Sequence, residues 1–253
     1  MNFGKKIASA FARITGLELI PSWRLETFAF ESFLRRLFET YSVDLVLDVG
    51  ANQGQYRDFI RYQVGYNGLI ISFEPDPACV KVLLERSKLD NNWQIEPFAL
   101  GSQEAKLELR VAADSHFNSF LNPDRSGLTD KLFKYKSAVD HAEVVAVRKL
   151  DGYMDYLLEL GVSRPYLKLD TQGFDLEVLR GAAMFLNNVC ALQTEASVRG
   201  IYEGMPDYRE MLDFLTMAGF DLSHDFPVSH DPALRLIEFD CIAVNSKFAN
   251  LIF

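Results

Sequence analysis

The sequence is poor in the residues that build metal and disulfide sites. It has three cysteines, Cys79, Cys190 and Cys241, and no Cys-x-x-Cys pair. Neither a zinc site nor a disulfide framework is therefore expected, and this cysteine usage is typical of a reducing, cytoplasmic location. The four histidines are scattered, so the sequence predicts no metal site. No apolar run approaches the ~20 residues that a transmembrane helix needs.

Basic residues are also scarce relative to acidic ones. The formal net charge of -9 argues against nucleic acid as the main partner, because phosphate binding needs a basic surface. At 253 residues and 49% hydrophobic content, the chain has the size and composition of one α/β domain with additions. We assign residues 1–42 to an N-terminal helical extension and residues 43–253 to the main domain.

The N-terminal residues predict an amphipathic helix. Phe3, Ile7 and Phe11 fall on one helical face, and Lys5 and Lys6 lie elsewhere. One interpretation is a peripheral membrane contact through this helix. The other is that the helix docks on the domain. Arg13 interrupts the apolar section too early for a signal peptide.

Buried strands alternate with helices along most of the chain, which predicts parallel βαβ units. The predicted strands are residues 43–49, 68–73, 93–99, 165–170, 188–194 and 234–244, and the predicted helices are residues 26–41, 78–88, 150–160, 175–185 and 207–218. Residues 106–148 break this rhythm and form an insertion: residues 106–111 alternate like a half-exposed strand, and residues 143–147 match it as a partner. The polar segment 114–140 between them is interpreted as a lid, or alternatively as a surface excursion without a role.

The first strand runs into a glycine turn at residues 48–54 (DVGANQG). Gly50 and Gly54 allow a tight backbone, and the amides of the following helix start are expected to face a ligand at the sheet edge. Glu74 ends the second strand, where a carboxylate can accept both hydroxyls of a ribose. The backbone of Ala99 and Leu100, at the end of the third strand, is placed to contact an adenine edge. These strand ends together predict a nucleoside site.

The turn lacks the Gly-x-Gly-x-x-Gly spacing of a dinucleotide site. Asp48 would repel a pyrophosphate, whereas it would attract a cationic amino-acid group. This combination favours S-adenosylmethionine over NAD as the ligand.

At these residues the chain resembles the FkbM-type methyltransferases. The resemblance is carried by residues 48–54, 73–76 (FEPD), 99–101 (ALG) and 167–181 (LKLDTQGFDLEVLRG). It implies a class I methyltransferase (Rossmann-like) fold, whose sheet is mostly parallel with one antiparallel strand, and S-adenosylmethionine as the methyl donor. It also implies transfer to an oxygen. Gln172 and Asp175 depart from this pattern, because the family commonly has glutamates there.

Two groups of site residues are predicted. The cofactor-binding group is Asp48, Gly50, Asn52, Gly54, Glu74, Pro75, Asp76, Ala99, Leu100 and Ser119. The catalytic group is Asp170, Glu195 and His116, with Asp170 as the base or acceptor anchor and the other two as support. The structural alternatives are that Asp170 caps the next helix, Glu195 pairs with Arg199 and His116 is a solvated loop residue.

The leading interpretation is an O-methyltransferase that acts on a hydroxyl of a sugar, glycan, glycolipid or secondary metabolite. One alternative is an NAD-dependent oxidoreductase or epimerase. The other is a non-catalytic domain that binds a nucleoside or a glycan. The sequence predicts neither the acceptor nor the oligomeric state.

Overall fold

The protein is described by a computed structural model that covers residues 20–125 and 128–252. The amphipathic helix predicted near the N-terminus lies outside these residues. The strands are β1 Leu45–Val49, β2 Leu69–Phe73, β3 Trp93–Glu96, β4 Ala99–Leu100, β5 Ala105–Ala112, β6 Val139–Arg148, β7 Pro165–Leu169, β8 Ala191–Ser197, β9 Phe220–His230 and β10 Leu236–Asn245. The α-helices are Leu25–Tyr41, Gln55–Phe59, Pro77–Ser87, Leu128–Phe133, Met154–Glu159, Asp175–Arg180, Tyr208–Met217 and Ser246–Ala249.

Within the described residues, the main sheet has seven strands in the order β3-β2-β1-β7-β8-β10-β9. Strands β1, β2, β3, β7 and β8 pair in parallel, and β10 is antiparallel to both of its neighbours. The predicted fold class is thereby confirmed, including the single antiparallel strand. The chain order reverses direction between β1 and β7, where ligands bind in open α/β sheets.

Apolar layers cover both faces of the main sheet. Leu47, Leu167 and Leu169 belong to one layer, and Val46 and Ile70 belong to the other. The helix Leu25–Tyr41 packs into the second layer, so it completes the core of the main sheet. None of the helices in the described part of the chain is both long and apolar enough to cross a membrane.

Two predicted strands differ from the observed ones. The strand predicted at residues 93–99 is two strands, β3 and β4, which belong to different sheets. Pro97 lies between them and has no backbone N–H to donate to a ladder, so pairing stops there. The strand predicted at residues 188–194 extends to Ser197, which places Glu195 inside β8 rather than after it.

Strand β9 was not predicted as a strand. It forms the edge of the main sheet and has an almost fully exposed outer surface, so it lacks the apolar pattern that identifies buried strands. His224 and His230 belong to it, and the His224 ring stacks on Phe226 with centroids 4.1 Å apart.

A second sheet, of order β4-β6-β5 in the described residues, is built mainly from the insertion. β5 and β6 are partners, as the alternating pattern predicted, and the structure shows that they pair antiparallel. This sheet is fixed to the core by a close backbone contact: a Cβ on Gly181 would lie 1.9 Å from the carbonyl oxygen of Gly101, which follows β4. Only glycine fits at position 181, although its own backbone conformation is ordinary.

We expect Gly181→Ala to lower the free energy of unfolding by roughly 1–3 kcal/mol, because overpacking must separate two backbone segments. Gly152→Ala is the matched control, since the nearest atom to its new Cβ would be 4.0 Å away. The control should change the free energy of unfolding by less than about 0.5 kcal/mol. Urea denaturation measures both variants, and equal stabilities would contradict the prediction.

Candidate active site

A cavity of about 520 Å³ crosses the carboxyl ends of β1, β2, β7 and β8, and the insertion forms one of its walls. Nine of the predicted site residues line it: Gly50, Asn52, Glu74, Pro75, Ala99, Leu100, His116, Asp170 and Glu195. The structure therefore brings together residues from the ends of five predicted strands and from the insertion.

The backbone amides of the glycine turn have acceptors within the protein. The N–H groups of Gly50 and Ala51 both donate to the carbonyl of Phe73, and that of Gly54 donates to Ala51. Glu74 accepts the N–H of Asn52 at 2.7 Å, and the Gln55 side chain accepts that of Gln53 at 3.0 Å. The amides at residues 50–54 therefore already have acceptors, whereas the expectation from sequence concerned the amides of the helix that begins at Gln55.

Glycine is required at position 50 by a close approach between two strand ends. Gly50 has a φ of +76°, and a Cβ there would lie 2.0 Å from the carbonyl oxygen of Asp170. The turn after β1 thus rests directly on the end of β7, so the two sides of the cavity are in contact at this point.

Glu74 is the carboxylate of the β1–β2 side of the cavity. It is buried and accepts the backbone N–H groups of Asn52 (2.7 Å) and Asp76 (2.8 Å). Burial nevertheless raises the pKa of Glu74 to about 8, and the nearby Asp76 and Asp48 carboxylates contribute. Each of its oxygens retains one lone pair for a ligand hydroxyl.

Asp48 lies beneath the cavity and does not line it. It is fully buried in β1, where its carboxylate lies 3.1 Å from Lys168 Nζ and accepts the Ser72 hydroxyl at 3.0 Å. Lys168 is buried, whereas a lysine at the edge of a sheet is usually solvated. Its Nζ donates to the carbonyl of Gly50 at 3.3 Å. Burial disfavours the ammonium, but Asp48 and Asp170 hold the pKa of Lys168 above its usual value. Asp48 therefore contacts a protein cation, in contrast to the predicted contact with a ligand cation.

Three other predicted cofactor contacts also lie outside the cavity lining. Gly54 packs against Trp93, whose ring would lie 2.8 Å from an added Cβ. Asp76 caps the helix Pro77–Ser87 and accepts the Asn118 side chain at 3.0 Å. The hydroxyl of Ser119 donates to the carbonyl of Gln172 at 2.7 Å. All three residues contact other protein groups rather than the cavity. Their effect on the site is therefore indirect, since they fix the position of the backbone around it.

The insertion closes over the glycine turn through its segment at residues 115–120. The Ser115 hydroxyl donates to Asn52 Oδ1 at 3.0 Å, and His116 Nε2 lies 3.3 Å from Gln55 Nε2. His116 Nδ1 contacts Asp114 at 2.8 Å, and the imidazole is mostly exposed. Aromatic rings from the insertion and from the core line the cavity as well: Tyr56, Phe59, Phe117, Phe120 and Phe133.

Carboxylates gather on the β7–β8–β10 side of the cavity. Asp170 and Glu195 were predicted there, and Glu238 and Asp240 from β10 join them. Burial, reinforced by the neighbouring Asp170, raises the pKa of Glu195 well above its usual range. The pKa of Glu238 rises to about 7 and that of Asp240 to about 6, again chiefly through burial.

Sequence reasoning missed Glu238 and Asp240, although a signal for them exists. Both interrupt an otherwise apolar final strand at alternate positions, which puts them on one face of it.

Asp170 Oδ2 lies 3.5 Å from Lys168 Nζ. Asp175 accepts the Thr171 N–H at 2.7 Å, so it is Asp175, rather than Asp170, that holds the turn before the helix Asp175–Arg180.

Two glutamines place their amide nitrogens against these carboxylates. Gln172 Nε2 donates to Asp170 at 3.1 Å and to Glu195 at 3.2 Å. Gln193 Nε2 donates to Asp240 at 2.9 Å. No group of three or more histidine, cysteine or carboxylate side chains in the described ranges is arranged to hold a metal ion.

The strand order, with a cavity at the carboxyl ends and a carboxylate after β2, defines a class I methyltransferase fold. The family model described as "Methyltransferase FkbM domain" matches residues 48–222, and the chain belongs to this family. The resemblance drawn from the motifs is thereby confirmed. The protein is a methyltransferase, and the methyl donor of its family is S-adenosylmethionine.

Individual relatives are distant. The 2-O-methyltransferase NoeI of Sinorhizobium fredii (strain NBRC 101917 / NGR234) is 24% identical over 212 residues, which are 80% of each chain. The solved methyltransferase FkbM from Methylobacillus flagellatus KT is 15% identical with a TM-score of 0.47; the match covers 80% of this chain but only 43% of that one. Magnesium protoporphyrin IX methyltransferase from Synechocystis PCC 6803, solved with bound SAM, is 10% identical with a TM-score of 0.46, over 97% and 98% of the two chains.

The cavity carboxyls should make the protein less stable as the pH rises. Glu238, Asp240 and Glu74 keep protons in the folded state at pH values where the unfolded chain has lost them, because their pKa values are raised. The free energy of unfolding should therefore fall between about pH 5 and 8, at ~1.4 kcal/mol per unit of pKa difference for each group.

Glu238→Gln should make this fall shallower by on the order of 1–3 kcal/mol. Glu85→Gln, on an exposed helical position outside the cavity, should leave it unchanged. Urea denaturation at several pH values measures the slope. Identical slopes for the native protein and Glu238→Gln would refute this account of the cluster.

Proposed function

We propose that the protein transfers a methyl group from S-adenosylmethionine to a hydroxyl of a polyhydroxylated acceptor such as a sugar or glycan. The observation that carries this proposal is the juxtaposition, in one cavity, of Glu74 on the β1–β2 side with four carboxylates on the β7–β8–β10 side. The β1–β2 side suits the ribose of the methyl donor. The β7–β8–β10 side suits a methyl acceptor whose several hydroxyl groups can form hydrogen bonds with carboxylates.

The chain's own residues fit an adenosyl donor. Glu74 lines the cavity with a free lone pair on each oxygen, and Pro75, Ala99 and Leu100 add apolar surface beside it. In this proposal Glu74 accepts the ribose hydroxyls, and the apolar group contacts the adenine. Asn52 and the segment around Phe117 close the same side, which would exclude water from the donor.

The acceptor side combines carboxylates with aromatic rings. Carboxylate oxygens accept hydrogen bonds from hydroxyls, and the apolar faces of rings such as Phe117 and Phe133 pack on the C–H groups of a sugar. The relative named as a 2-O-methyltransferase supports an oxygen acceptor. We assign the acceptor to this part of the cavity on these grounds.

Asp170 is assigned the role of general base. Its carboxylate lines the cavity, is partly accessible and is oriented by Lys168 and Gln172. S-adenosylmethionine, when bound, would supply the methyl group: the acceptor oxygen would bond to the methyl carbon as the carbon–sulfur bond broke, with the electron pair left on sulfur. The proton of the acceptor hydroxyl passes to Asp170. In this proposal Glu195 holds the methyl acceptor beside Asp170, and His116 shields the methyl-donor side of the cavity from solvent.

Two alternatives find less support. An NAD site would need backbone donors for a pyrophosphate, but the amides at residues 50–54 are engaged within the protein. A non-catalytic binding domain could use the same carboxylates, and it is disfavoured because the chain belongs to a methyltransferase family. Transfer of labelled methyl groups to an acceptor separates this second alternative from an enzyme.

At pH 8.5, where the Glu74 carboxyl is mostly ionised, Glu74→Gln should weaken S-adenosylmethionine binding about 10- to 100-fold, because a charged hydrogen-bond acceptor for two hydroxyls is lost. Binding to the native protein should strengthen from pH 6.5 to 8.5, since the ionised form of Glu74 is the better acceptor and the pKa of Glu74 is about 8. Titration calorimetry measures both effects. Glu104→Gln is the control, because Glu104 also accepts a backbone N–H but lies outside the cavity lining. Unaltered affinity in Glu74→Gln would remove Glu74 from the donor site.

Asp170→Asn should lower kcat at least 100-fold while leaving S-adenosylmethionine affinity within about twofold, because a general base contributes 10²–10⁴-fold. The assay follows transfer of a labelled methyl group to a panel of methyl glycosides and glycolipids. Asp155→Asn, on an exposed helical position away from the cavity, serves as the matched control. An Asp170→Asn enzyme with native turnover would assign the base to another residue.

A further inference from the structure

The Gln172 side chain lies between two of the cavity carboxylates. Its single amide nitrogen donates to Asp170 Oδ1 at 3.1 Å and to Glu195 Oε2 at 3.2 Å. An amide has two N–H groups, so both are used. One side chain thus links the end of β7 to the middle of β8 across the cavity.

The direction of this amide is set by a tyrosine. The Tyr202 hydroxyl has one proton and two acceptors, Gln172 Oε1 at 2.9 Å and the Phe117 carbonyl at 3.2 Å. Donation to the nearer oxygen directs the amide nitrogen towards the carboxylates. Tyr202 is buried, and burial raises the pKa of its hydroxyl, which therefore keeps its proton. A flipped amide would set its oxygen against Asp170 and Glu195 and its nitrogen against a donor.

The backbone of Gln172 is also held in place. Its φ of +53° is uncommon for a residue with a side chain, and the Ser119 hydroxyl donates to its carbonyl at 2.7 Å. Such strain persists where surrounding contacts over-determine it, and it often marks a functional position. The insertion, through Ser119, therefore fixes the residue that links the carboxylates.

We propose that Gln172 is a positioning residue that holds the Asp170 and Glu195 carboxylates in a fixed arrangement and stabilises their ionised forms. Its two N–H groups supply the hydrogen bonds that a carboxylate loses when it leaves water. A carboxylate at position 172 would instead add a third negative group at this point. The catalytic meaning of this inference rests on the proposed role of Asp170, whereas its electrostatic part does not.

Other groups also act on Glu195, so the test must isolate the amide. The charged and titratable groups that face it are Asp170 and Lys168 from β7, Asp175, Tyr202, and Glu238 and Asp240 from β10. Each of them is left in place by a change confined to Gln172. A second amide offers a matched comparison, because Gln193 also donates to a carboxylate and accepts a tyrosine hydroxyl, that of Tyr56 at 3.0 Å.

The experiment follows the side-chain carboxyl carbon of Glu195 by carbon-13 NMR during a pH titration of the full chain, with Glu195→Gln used for assignment. Gln172→Asn keeps an amide but shortens the side chain by one methylene, so it cannot reach both carboxylates, and asparagine tolerates the positive φ. We expect the Glu195 titration midpoint to rise by about one pH unit, because a hydrogen bond to the ionised form is lost.

Tyr202→Phe provides a second variant in which Gln172 itself is retained. It should raise the Glu195 midpoint by a smaller amount, since the amide can then rotate. Gln193→Asn should not raise this midpoint, because it removes a hydrogen bond from Asp240 and none from Glu195. Melting temperatures verify that each variant is folded.

Superimposable Glu195 titrations in the native protein and in both the Gln172→Asn and Tyr202→Phe variants would overturn the inference. An upward shift equally large in Gln193→Asn would overturn it as well, because the effect would then be general to the cavity. Failure of the proposed function has a different signature: no labelled methyl group would reach any acceptor, while the titration difference would remain.

Discussion

The structure depends on a buried ion pair between adjacent strands. Asp48 and Lys168 are register partners in β1 and β7, and both are almost completely buried. An unpaired charge at such a position would cost several kcal/mol, so each residue is acceptable only in the presence of the other. Lys168 also reaches the Gly50 carbonyl and Asp170. The pair therefore fixes the glycine turn and the proposed base relative to each other.

The two sides of the cavity obtain their polarity in different ways. On the β1–β2 side, backbone amides are satisfied internally, and Glu74 is left as the polar group for a ligand. On the β7–β8–β10 side, several carboxylates share a confined volume with oriented amides such as Gln172 and Gln193. Burial raises the pKa of acids on both sides, so a ligand that donates hydrogen bonds can change their protonation.

Apolar runs and glycines were sufficient to predict the parallel core, the order of its elements and the strand ends that meet at the cavity. The partners of individual polar side chains were harder to predict. Asp48, Asp76 and Ser119 have the chemistry of ligand contacts, yet each contacts the protein instead. Asp48 pairs with Lys168, Asp76 caps a helix and accepts Asn118, and Ser119 donates to Gln172. A sequence lists donors and acceptors without their distances. Strand β9 escaped prediction because an exposed edge strand needs no apolar face.

The internally satisfied glycine turn has a consequence for the design of inhibitors. Since the amides of residues 50–54 already have acceptors, a donor analogue gains nothing from a phosphate or sulfonate aimed at the turn. Such a group would also approach Asp170, across the contact that Gly50 makes. In the proposed donor site, neutral or cationic groups aimed at the turn are therefore the better starting chemistry. Selectivity against nucleotide-binding enzymes that cradle phosphates would follow from the same choice.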